Sequence, residues 1–189
     1  MMAAPQDFAI GRLSCRWQAM PGATRAQALA TTWLRDVAGD ATADGLHRDA
    51  RGRPRLAGGD ASWSHSQGRL LLAYTEHGRI GVDVEPRGRH TDSLGIARRY
   101  FADEEIVALE SLDGDARHLA FLHLWCAKEA VLKAHGGGIA FGLHKAVFDV
   151  GGDGVHMSRC DPALGRIEDW SLHLLEPEPG FIAVLASTA

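Results

Sequence analysis

The segment that most constrains this chain runs from Phe121 to Gly142, FLHLWCAKEAVLKAHGGGIAFG. Read at helical period, Phe121, Leu122, Leu124, Trp125, Cys126, Ala127, Ala130, Val131, Leu132 and Ala134 leave no wide polar face, which is the pattern of a buried helix. Lys128, Glu129 and Lys133 nevertheless sit in its middle, and Trp125, Glu129 and Lys133 follow one another at i, i+4 and i+8, so they share one stripe. Charge in a buried helix needs a partner or a ligand. One reading is a helical Glu129–Lys133 pair worth roughly 0.2–0.5 kcal/mol, with Lys128 snorkelling its stem. The other is a ligand site, favoured by Gly136–Gly138: one glycine suffices to cap a helix, and three allow backbone to approach something closely. The chain has only three lysines, and two of them lie in this helix.

With 189 residues, 46% apolar and 23% charged, the chain can build a real core as one large domain or two small ones. The start, MMAAPQDFAIG, has neither a basic region nor a long apolar run, and Phe181 to Ala186 is too short to span a bilayer. The expectation is a cytoplasmic protein. Cys15, Cys126 and Cys160 are far apart and never in a CxxC pair, so they read as reduced thiols rather than a disulfide framework or zinc site. A net charge of −4 argues against bulk attraction to nucleic acid or anionic membrane.

In chain order, Leu13–Trp17 reads as a short strand and Thr24–Val37 as a helix stopped by Gly39. Asp44–Leu56 reads as a short strand, a turn and an extended Arg-Gly-Arg-Pro segment, a basic run of the kind that is usually a solvated loop. Arg69–Thr75 and Arg79–Glu85 have hairpin-like spacing. The basic link RGRHTDSLG after Pro86 divides the chain into expected lobes 1–86 and 87–189. Leu94–Tyr100 and Asp103–Leu112 read as helices, the second with three acids in its first turn. The central helix is expected to start near Ala116. Ala146–Val150, Gly154–Ser158, Trp170–Leu175 and Phe181–Leu185 read as one antiparallel sheet, so the class is α+β.

In Gly81-Val82-Asp83-Val84-Glu85-Pro86, period 2 puts Asp83 and Glu85 on one face. That face is either solvated or holds a hard divalent cation, with Glu129 as a third ligand and Lys133 one turn on, a pattern suited to Mg²⁺ and phosphate. Ser62-Trp63-Ser64-His65-Ser66 lies just before a core strand; without a GxSxG elbow it reads as a phosphate-binding segment or as a turn with an exposed histidine.

Four segments in order, WSHS at Trp63–Ser66, GVDVEP at Gly81–Pro86, RRYFADEE at Arg98–Glu105 and WCAKEAVLKAHGGGIAFG at Trp125–Gly142, resemble the signature of the 4'-phosphopantetheinyl transferase superfamily, in the monomeric, two-lobed branch serving secondary metabolism. The resemblance covers roughly residues 24 to 187 by pattern. It implies two similar α+β lobes related by a pseudo-twofold axis, with coenzyme A and Mg²⁺ in the cleft between them. The implied reaction moves the 4'-phosphopantetheine arm of coenzyme A to a serine of an acyl or peptidyl carrier protein and releases adenosine 3',5'-bisphosphate. Asp83, Glu85 and Glu129 match the family's metal-binding acids, Lys133 its pyrophosphate lysine, His65 and Arg35 its 3'-phosphate groups, and Arg53 and Ser64 residues lining the nucleotide pocket. Lys128 and Trp125 match supporting positions. Glu129 or a metal-bound water would take the serine proton. Arginine stands at Arg53 where lysine is usual, and the lysine-bearing helix often found before residue 24 is missing. The stretch with Arg87, Arg89, His90, Arg98 and Arg99, offset only by Asp92 between Arg87 and Arg99, is a docking surface for an acidic carrier or a solvated linker.

Overall fold

The computed structural model describes residues 4–22, 25–151 and 154–189. Thr24, where the first helix is expected to begin, lies outside them, as do the first three residues of the N-terminal stretch. The class is α+β, as expected. A four-stranded antiparallel sheet has the order β1 (Gln6–Ile10), β2 (Leu13–Ala19), β6 (Arg69–Thr75), β5 (Asp60–Ser66), and a three-stranded sheet the order β10 (Trp170–Leu175), β11 (Phe181–Thr188), β7 (Ile80–Pro86). Helix α1 (Ala26–Ala38) buries Ala30, Trp33 and Leu34 with Leu70 and Leu72, and the five-residue α2 (Asp40–Asp44) follows it. Helices α3 (Ser93–Tyr100), α4 (Asp103–Glu110) and α5 (Gly114–His135) share the largest core with the hairpin of β8 (Ala146–Gly151) and β9 (Gly154–Cys160).

Two strand expectations need correction. β6 and β7 are not a hairpin: β6 lies between β2 and β5, whereas β7 pairs with β11. The four C-terminal strands do not form one sheet either, because among the described residues β8 and β9 pair only with each other. The β7–β11 ladder also joins strands from either side of residue 86. Spacing fixes how far apart two strands are in sequence, but not which sheet each enters. β1, unpredicted, is an edge strand with mostly exposed residues, which leaves little apolar pattern to read.

The two sheets meet along β5 and β7 through side chains rather than a backbone ladder. Alternation puts Asp60, Ser62 and Ser64 on one face of β5, and all three are buried. Asp60 Oδ2 accepts the Ile80 N–H at 2.8 Å, Ser62 Oγ accepts the Val82 N–H at 3.2 Å, and Ser64 Oγ donates to Asp83 Oδ1 at 2.8 Å. The serine cluster is therefore a seam inside a strand, not a turn before one.

β7 packs its other face, Ile80, Val82 and Val84, into the core between the sheets. Its near face meets α5 so closely that a Cβ on Gly81 would lie 1.9 Å from the Ala130 carbonyl oxygen and 2.6 Å from the Ala134 nitrogen. Only glycine fits there.

Lys128 does not snorkel. It is fully buried, and its ammonium pairs with Glu105 at 2.7 Å while donating to the carbonyls of Leu143 and Ala146 at 2.9 and 2.5 Å. The Phe101 ring lies 4.7 Å from it. Glu105 in turn accepts the N–H groups of Ala102 and Phe148 at 3.0 and 2.9 Å. Burial, outweighing Glu105, brings the Lys128 pKa down to about 8. Removing one member of such a pair leaves an uncompensated buried charge, so Lys128→Met is expected to lower the unfolding free energy by about 3–5 kcal/mol in a urea titration. Adding Glu105→Gln should recover part of the loss; wild-type stability in Lys128→Met would contradict this.

Candidate active site

α5 is buried along most of its length, and between Leu124 and Ala134 its partly exposed residues are Trp125, Glu129 and Lys133. These form the stripe read from the sequence. It faces the near side of β7, where Gly81, Asp83 and Glu85 alternate with the buried valines. The face is not solvated: Asp83 is 5% exposed. Close approach at Gly81 thus brings acids from a strand and a helix together in one cleft.

The Glu129–Lys133 pair is not formed. Lys133 Nζ reaches across to Asp83 Oδ1 at 2.7 Å and donates to the Val82 carbonyl at 3.1 Å. Arg89 pairs with Glu85 and lies over the Trp125 ring at 5.4 Å. Burial, followed by the charge of Asp83, pushes the Glu129 carboxyl up to about 7, with Lys133 opposing and Glu85 reinforcing. Burial and then Asp83 also raise Glu85. Beneath them the Cys126 thiol is held neutral by burial first and these acids next.

Two carboxylate oxygens, Asp83 Oδ2 and Glu129 Oε1, are buried without a hydrogen-bond partner. Such atoms are costly unless something satisfies them. Hard oxygen donors on facing elements, with Glu85 and Glu129 raised by burial and then by Asp83, fit a divalent cation of the Mg²⁺ kind. Among the described residues no group of three His, Cys, Asp or Glu side chains already converges into a metal cluster. Lys133 and Arg89 now neutralise two of the three acids.

Next to this cleft a cavity of about 200 Å³ is lined by Arg48, Arg53, Trp63, Lys133 and Gly136 among others. Gly136, at φ 88°, ends α5 in the left-handed conformation. Of the residues assigned to the nucleotide, Arg53 and Lys133 line this cavity. Ser64 is instead on Asp83, and His65 is exposed on the opposite face of β5. Arg35 is exposed and bound to Asp44 at 2.5 Å, with Asp40 at 3.6 Å. Arg48, stacked over Trp63 at 5.1 Å, is a cavity residue that sequence reasoning missed. The signal was the basic run through Arg55, read as an ordinary loop.

The sequence model described as the 4'-phosphopantetheinyl transferase superfamily matches residues 79–177, just over half of the chain. HetI of Nostoc sp., named a 4'-phosphopantetheinyl transferase, is 32% identical over 145 residues, 73% of this chain and 58% of HetI. Sfp of Bacillus subtilis, named likewise, is 34% identical over 90 residues, 48% of this chain and 39% of Sfp. The protein slr0495 of Synechocystis sp. is 38% identical over 104 residues, 52% of this chain and 42% of the relative. The chain thus spans well under two thirds of the length of each. The matched region contains β7 and α5, the two elements that form the cleft, and the chain belongs to the 4'-phosphopantetheinyl transferase superfamily.

Proposed function

We propose that the β7–α5 cleft transfers the 4'-phosphopantetheine arm of coenzyme A to a serine hydroxyl of an apo acyl or peptidyl carrier protein, releasing adenosine 3',5'-bisphosphate. The observation that carries the reading is the pair of unpartnered buried oxygens, Asp83 Oδ2 and Glu129 Oε1, in a cleft with Lys133. Asp83, Glu85 and Glu129 would hold Mg²⁺, which when bound supplies charge to the pyrophosphate and orients it. Lys133, released from Asp83, adds positive charge where the leaving phosphate gains negative charge. Glu129 and water are the acceptors available for the serine proton. Ser64 and the seam around it keep the Asp83 carboxylate aimed at the cleft. By resemblance, His65 and Arg35 hold the 3'-phosphate, which would require Arg35 to leave Asp44.

The same reading takes the chain as two similar lobes, 1–86 and 87–189, about a pseudo-twofold axis. α1 against β5 and β6 and α5 against β7 and β11 support it. It is also taken as a cytoplasmic monomer; among the described residues no helix is long and apolar enough to cross a membrane.

The carrier is proposed to dock on the arginines after β7. Arg89 is committed to Glu85 and Trp125, and Arg98 to Glu110 at 2.7 Å. Arg87 has only a loose 3.7 Å contact with Glu176, and Arg99 lies over the Tyr100 ring at 5.2 Å. Arg87 and Arg99 therefore remain for an acidic partner.

Incubating the protein with coenzyme A, Mg²⁺ and an apo carrier should add one phosphopantetheine to the carrier by intact mass. Asp83→Ala should slow this on the order of 10²–10³-fold or more; an unmodified carrier with the wild type would overturn the reading. Arg87→Glu with Arg99→Glu should raise the Michaelis constant for the carrier several-fold, leave that for coenzyme A nearly unchanged, and weaken the salt dependence. If both constants move together, or neither does, the carrier docks elsewhere.

A further inference from the structure

β7 ends in a turn that brings a cation back onto the strand's own last carboxylate. The Arg89 N–H donates to the Pro86 carbonyl at 3.0 Å, which closes a β-turn over residues 86–89. The turn is pinned from both sides: the Arg87 N–H donates to the Gly180 carbonyl at 2.8 Å, and His118 Nε2 on α5 donates to the Arg87 carbonyl at 3.0 Å. His118 is oriented in turn by Ser93, whose hydroxyl donates to Nδ1 at 3.3 Å. The Arg89 side chain leaves this fixed turn and ends on Glu85 Oε1, with its guanidinium 5.4 Å from the centre of the Trp125 ring.

Other ion pairs at the surface join carboxylates that have no task in the cleft. Arg55 in β4 (Pro54–Arg55) holds Asp49 at 3.0 Å, just after β3 (His47–Arg48), and Arg98 holds Glu110 at 2.7 Å. Glu85 does have a task there: it is one of the three acids assigned to the cation, its side chain is only 14% exposed, and Arg89 occupies it. Burial and then Asp83 raise the Glu85 carboxyl, and Arg89 leads the groups that oppose them, ahead of Lys133. Among the described residues the buried carboxylate oxygens left without a partner are on Asp83 and Glu129, not on Glu85. Counted as ionised, three carboxylates against Arg89 and Lys133 leave the cleft with one negative charge. A divalent cation added to that set makes it positive unless a resident cation lets go. Lys133 has a phosphate to move to in the proposed reaction. Arg89 has the face of Trp125 and, with its side chain 32% exposed, water.

We infer that Arg89 is a resident counter-ion that holds Glu85 in place of the divalent cation, so that cation binding opens the Arg89–Glu85 pair and leaves the guanidinium on Trp125. The inference rests on the transferase reading for its assignment of the three acids to a cation. A cation that must displace an arginine binds more weakly than the acids alone would hold it, by the free energy of the pair it breaks. Arg89 is thus a positioning residue: it keeps Glu85 folded back toward the cleft while the site is empty, and it sets the cation affinity by competition.

The test is Mn²⁺ binding, read from the electron paramagnetic resonance of the free ion. The proteins are the wild type, Arg89→Gln, Arg89→Lys, Glu85→Gln, and Arg89→Gln with Glu85→Gln, each checked for folding by its melting temperature. Arg89→Gln should bind Mn²⁺ at least about fivefold more tightly than the wild type, and Arg89→Lys, which keeps the charge, should stay near the wild type. In the Glu85→Gln background the gain from Arg89→Gln should fall to about twofold or less, because the pair it abolishes is already gone. An Arg89→Gln affinity equal to or weaker than that of the wild type, or a gain of the same size with and without Glu85, overturns the inference. Carrier mass scores the transferase reading separately. A wild type that modifies carriers leaves that reading standing whatever Arg89 does, and one that shows the Mn²⁺ linkage but modifies no carrier overturns that reading alone. A wild type that binds no Mn²⁺ overturns the inference.

Discussion

The cleft depends on one steric fact: β7 and α5 touch backbone to backbone at Gly81. The Ala130 carbonyl occupies the space where any other residue would carry its Cβ. Two and four residues further along the strand, Asp83 and Glu85 then face the helix, and Glu129 and Lys133 look back from it. Gly81 and Ala130 hold the distance, and the period of each element sets which side chains meet. The acids are drawn out of water before any ligand arrives, so burial and then the charge of Asp83 raise the proton affinity of Glu85 and Glu129. Lys133 on Asp83 offsets part of that repulsion.

Around this contact the polar interior is organised to hold the strand and the helix end in place. Asp60 accepts from Ile80 and from Arg53, and Arg53 caps the carbonyls of Lys133 and Ala134. One buried ion pair therefore joins the basic loop, the end of α5 and the start of β7. At the other side of the helix, Lys128 and Glu105 tie α5 to α4 and β8. Both networks are well satisfied, which is what makes buried charge tolerable. The unsatisfied oxygens lie between them, on Asp83 and Glu129. Rigidity in the support and deficit at the centre is the expected form of a preorganised binding site.

The sequence made the central helix legible because a helix apolar on nearly all sides has one place to go. Its polar stripe, Trp125, Glu129 and Lys133, is the part left partly exposed. The residues Asp83 and Glu85 were legible as a pair sharing a face, but not what that face meets, since alternation alone does not say which side is buried. Partner choice was the least readable. Lys133 takes Asp83 rather than the helical neighbour Glu129, Lys128 takes Glu105 rather than water, and β7 takes β11 across 95 residues of chain rather than β6. These are long-range pairings, and local spacing carries no signal for them. Arg51 and Arg53 show the same limit at close range: two arginines in one turn, of which one is spent inside the protein and one is left outside.

The claim that Asp83, Glu85 and Glu129 make one cation site is tested most directly by anomalous diffraction from crystals grown with Mn²⁺ and coenzyme A. The account expects an anomalous peak between Asp83 Oδ2 and Glu129 Oε1, with Lys133 moved from Asp83 onto a phosphate oxygen. A nucleotide bound in the cleft with no peak between the acids, and Lys133 still on Asp83, would contradict it.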